Sequence, residues 1–127
     1  MSTELCDKVC QKLLLCSGIL AAMLRLLSEA QSRWINQGNS LSPAFNVRDL
    51  GRRQRMRVLI NECFTSIGHP AKQSLNLHDL GMDMLIISKQ RGLSDAEIVG
   101  CLDKVHQIQT IATANQSDYL SEIGISS

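Results

Sequence analysis

Apolar residues recur along the first third of the chain at steps of three and four. Leu5, Val9, Leu13, Cys16, Leu20, Met23, Leu27, Ala30 and Trp34 draw one stripe, the mark of an amphipathic helix. The pattern predicts a first helix from about Thr3 to Gln37. Leu15, Ile19, Leu24 and Leu26 widen the stripe in its middle. Gly38 suits the left-handed cap that ends a helix. At 1.5 Å per residue such a helix spans roughly 50 Å, longer than a small domain is wide. Either it bends, with Gly18 the natural place, or its excess packs on another chain.

A second stripe, Met56, Leu59, Ile60, Cys63, Phe64 and Ile67, predicts a helix that begins near Asn46, with Asn46 as its cap. Ser42-Pro43 just before it suits an opening helical turn. Gly68-His69-Pro70 stops it. A third helix is expected from the Ser74 to Asn76 region to Gln90. Leu77, Leu80, Met84 and Ile87 form one face of it, and Met82 and Ile86 lie on the other side.

Ser94-Asp95-Ala96-Glu97 is a capping box. The helix it opens carries Ile98, Cys101, Leu102, Val105, Ile108 and Ala112, and the stripe resumes at Tyr119, Leu120 and Ile123. Gln109 and Asn115 fall on the same line, so a break or a polar seam is expected there. No stretch alternates as a strand would. The expected fold is all-α, a single domain over 1–127. It is a four-to-five-helix bundle with a long N-terminal helix, completed by dimerisation.

Composition agrees with this picture. The chain has 127 residues, 44% of them hydrophobic and 20% charged, which excludes a wholly disordered chain. Leu13 to Leu24 carries no charge, yet a membrane-crossing helix needs about 20 apolar residues. A basic start and a small-residue cleavage site are also missing. The segment therefore reads as a core helix, and no membrane contact is expected. Five cysteines, an odd number, argue for reduced thiols and a cytoplasmic location.

Charge changes the picture more. The net charge of +1 comes from 13 basic and 12 acidic residues. Arg48, Arg52, Arg53, Arg55 and Arg57 fall within ten residues, with Asp49 the one acid among them. The rest of the chain is mildly acidic. Cations near a helix N-terminus are unfavourable, and guanidinium groups match phosphates and carboxylates bidentately. These five arginines are the candidate anion- or partner-binding strip. The alternative is a solvated face paired with the chain's own acids.

Other chemistry is sparse. Cys6, Cys10 and Cys16 lack zinc-site spacing, and no metal or cofactor is expected. Cys63 and Cys101 lie on apolar stripes, where thiols tend to be inert, and no phosphate loop or nucleophile elbow is present. No catalysis is expected. His78-Asp79-Leu80-Gly81 resembles, over four residues, the segment around the phospho-accepting histidine of histidine phosphotransfer domains. The lysine usual after that histidine is missing here.

The apolar surplus points instead to a partner. Leu13, Leu20, Met23, Leu27, Trp34, Met82 and Ile86 are the candidate dimer or partner surface. The expected function is a small intracellular helical protein-interaction module, an adaptor, chaperone or regulator, acting as a homodimer with a further protein partner. The alternative is a dimeric nucleic-acid-binding regulator that uses the Arg48–Arg57 strip.

Overall fold

In a computed structural model the chain is described over residues 3–68 and 77–125, with side chains from residue 7 onward. The expectations at the Leu5 and Cys6 side chains, and at His69, Pro70 and Ser74 to Asn76, lie outside what is described. Four helices form: α1 (Thr3–Asn36), α2 (Pro43–Ser66), α3 (Leu77–Gln90) and α4 (Asp95–Glu122).

Helix α1 runs without interruption through Gly18, so the chain does not break there. Gly38 follows it with φ +86°, as the left-handed cap requires. Helix α2 begins earlier than the Asn46 boundary suggested. Ser42 is its N-cap, accepting a hydrogen bond from the Phe45 N–H at 3.1 Å, with Pro43 in the first turn. Proline fits there because its missing N–H would have no helical partner. Helix α4 is also unbroken. Its capping box forms: the Ser94 hydroxyl accepts from the Glu97 N–H and the Glu97 carboxylate accepts from the Ser94 N–H.

The helices close a bundle. Helix α1 packs chiefly on α3 and also on α4, while α2 packs chiefly on α4 and also on α3. The pairs α1/α2 and α3/α4, though consecutive in the chain, lie across the diagonals. The main core takes Cys10, Leu13, Leu20 and Leu24 from α1, Met56, Leu59, Ile60, Cys63 and Phe64 from α2, Leu77, Leu80 and Met84 from α3, and Ile98, Cys101, Val105, Ile108 and Ala112 from α4. A smaller cluster of Leu27, Leu41, Phe45 and Tyr119 closes one end. Phe45 and Tyr119 meet with ring centroids 6.2 Å apart, and the Tyr119 hydroxyl donates to the Ala30 carbonyl.

The α1–α3 crossing is tight at one point. A Cβ added to Gly81 would stand 2.7 Å from the Leu14 Cα. The absent side chain at Gly81 therefore sets how closely the two backbones approach.

Candidate interaction surface

The arginine strip comes apart in three dimensions. Arg48 donates to Asp118 of α4 at 2.8 Å, and Arg52 donates to the same carboxylate at 3.0 Å. Arg52 also donates to the Asn115 side-chain oxygen at 3.1 Å. Arg53 donates to Asp49 one turn earlier, and to Ser28 and Gln31 of α1. Asn115 completes the set by donating to Asp49 at 2.6 Å. Three of the five guanidiniums thus bind the chain's own acids and amides, and tie α2 to both α1 and α4. The hydrogen bonds from Arg48 and then Arg52 hold the Asp118 carboxyl below the usual carboxylate range.

Arg55 and Arg57 have no hydrogen-bond or ion-pair partner among the described residues. They are two residues apart on a helix, a spacing at which side chains do not face each other. They flank opposite edges of the α2 outer face, where Val47 and Leu50 are exposed. The strip therefore offers two separated cations rather than a cluster of five.

Asn115 explains the polar position on the α4 stripe. It is fully buried, and both halves of its amide are satisfied by α2. Gln109, on the same line, is exposed.

The cysteines are free thiols at Cys10, Cys16, Cys63 and Cys101. Cys63 and Cys101 meet at the α2–α4 contact. The Cys101 thiol donates to the Cys63 carbonyl at 3.8 Å, and the interaction of the two side chains raises Cys63 and lowers Cys101. Both side chains are fully buried. Among the described residues, no group of three or more His, Cys, Asp or Glu is placed to hold a metal ion.

The residues expected on a partner surface divide. Leu13, Leu20 and Leu27 are 0, 2 and 8% exposed and belong to the chain's own core. Met23 and Trp34 are half-buried. Met82 and Ile86 are exposed. The apolar face open to solvent on α1 is the opposite one: Leu15, Ile19 and Leu26 are 65, 52 and 55% exposed, and the half-buried Ala22 stands between them. These four recur at steps of four, three and four, so they form one line along the helix.

Shallow grooves border this line on both sides. One is lined by Leu14, Leu15, Gly18, Ile19, Ala22 and His78, between α1 and α3. The other is lined by Cys16, Ile19, Met23, Val105 and Gln109, between α1 and α4. Met82 and Ile86 continue apolar surface along α3. By length and composition α1 could also cross a membrane, but its inner side supplies the bundle core. The periodic pattern had already marked Leu15, Ile19 and Leu26 as widening the stripe. What it lacked was a reason to place them outside and Leu13, Leu20 and Leu27 inside.

Comparison of the chain with known protein families, with curated proteins and with solved structures finds no match.

Proposed function

We propose that the chain is a small intracellular helical protein-interaction module, an adaptor, chaperone or regulator, that acts without catalysis. The partner binds along the outer face of α1. The observation that carries this reading is the line of exposed Leu15, Ile19 and Leu26, with the half-buried Ala22 among them, on a helix whose other side is already core. Surface apolar residues scattered singly need no explanation, but an ordered row of large ones marks a contact site. The free thiols are in keeping with a reducing compartment.

Site-specific photo-crosslinking in the native host tests the reading. A crosslinker at Ile19 should capture a discrete protein, and one at the exposed Thr113 should not. Capture at Ile19 should fail when Leu15 is changed to glutamate. Equal capture at both positions would end the proposal. So would tight, steeply salt-dependent binding of generic duplex DNA that the double change Arg55→Ala, Arg57→Ala abolishes.

A further inference from the structure

We infer that the outer face of α1 docks against the same face of a second copy of this chain, antiparallel, about a twofold axis between Leu20 and Ala21. This rests on the proposed interaction face and names its occupant.

The line extends beyond its apolar centre. Lys12, Leu15, Ile19, Ala22, Leu26 and Glu29 follow one another at steps of three, four, three, four and three. That alternation is the heptad seam of helices crossing at about 20°. An antiparallel twofold pairing places Leu15 opposite Leu26 of the other copy, two large apolar side chains, and Ile19 opposite its Ala22, a large side chain against a small one. It also places Lys12 opposite Glu29, and by symmetry Glu29 opposite Lys12. Both residues are exposed, and neither has an ion-pair partner among the described residues. The seam thus matches its own reverse in apolar character at its centre and in charge at Lys12 and Glu29.

The flanks are compatible with the same register. Gly18, which leaves open space beside His78, falls near Arg25 of the second copy. Cys16 falls near Met23. The one like-charge pair, Lys8 with Arg33, lies at the outer ends, where both side chains reach water. A parallel pairing would instead set Lys12 against Lys12 and Glu29 against Glu29.

Sedimentation equilibrium of the full chain tests this. The expected mass is twice the 14.0 kDa of one chain. Ile19→Glu should give the monomer mass with unchanged helical circular dichroism. Lys12→Glu alone and Glu29→Lys alone should each weaken the dimer by roughly fivefold or more, since each breaks two symmetric ion pairs. The double variant, with its pairs restored in reverse, should recover most of the loss.

A monomer at every concentration overturns the inference, as does a dimer that ignores all four variants. A monomer whose Ile19 crosslinker captures a different protein overturns the self-pairing but leaves the interaction face standing. A monomer that instead binds phosphatidylcholine–phosphatidylserine vesicles, and loses them with Ile19→Glu, overturns both.

Discussion

Gly81 and Gly18 sit on facing helices, and helix propensity alone treats them alike. Replacing glycine by alanine inside a helix gains up to about 1 kcal/mol. At Gly18 the new Cβ would lie 3.9 Å from the His78 Nδ1, an ordinary contact. At Gly81 it would meet the Leu14 backbone at 2.7 Å, and backbone does not move aside as a flexible side chain does. Gly18→Ala should therefore raise the urea midpoint, whereas Gly81→Ala should lower stability by about 1–3 kcal/mol. Equal effects from the two would show that the α1–α3 approach is looser than described. Asn115 makes a second residue-scale case. Its buried amide joins Asp49 to Arg52, so Asn115→Ala removes two hydrogen bonds to charged groups at a cost of about 1–3 kcal/mol, although Asp49 keeps Arg53 and Arg52 keeps Asp118. Arg55→Ala and Arg57→Ala, by contrast, should stay within about 0.5 kcal/mol of the parent. Chemical denaturation of the three variants side by side checks the contrast.

The start of α4 shows what a helix end contributes. Glu97 accepts from the Ser94 N–H and from Arg91, and Arg91 also donates to the Ile67 carbonyl just past α2. The Arg91 guanidinium, followed by the Ser94 N–H, lowers Glu97 from 4.5 to about 2. A carboxylate lowered on folding contributes stability that is complete above its unfolded value and lost as the pH falls through the folded one. Glu97→Gln should accordingly be less stable than the parent at pH 7. The difference should close between about pH 4.5 and 2. A difference in unfolding midpoint that persists at pH 2 would refute this. The capping box was plain in the sequence because both its partners lie within four residues. The stripes and the glycine stops were legible for the same local reason. The start of α2 was not: Asn46 is as good a cap residue as Ser42, and Asp49, three residues beyond Asn46, is taken by Arg53 and Asn115. Nor were the partners of the arginines, because Asp118 lies 66 residues from Arg52 and no local pattern joins them.

At the scale of the whole molecule the question is which side of α1 is inside. The helix carries two apolar faces, and its own periodicity does not choose between them. Packing chooses: the main core closes over Leu13 and Leu20, Phe45 and Tyr119 cluster with Leu27, and Leu15, Ile19 and Leu26 are left outside. Substitutions a few residues apart should then act on different properties. Leu13→Ala and Leu20→Ala leave cavities in the main core and should each cost about 2–5 kcal/mol, read as a lower denaturation midpoint. Leu15→Lys and Leu26→Lys remove nothing from that core. They should leave monomer stability and helical content nearly unchanged while abolishing association along the face. If the lysine variants unfold the chain as the alanine variants do, the outer face is structural and the docking proposal fails with it. If they keep the fold and lose only association, α1 serves two interfaces at once. That would account for an apolar surplus greater than a single bundle of this size needs for its own interior.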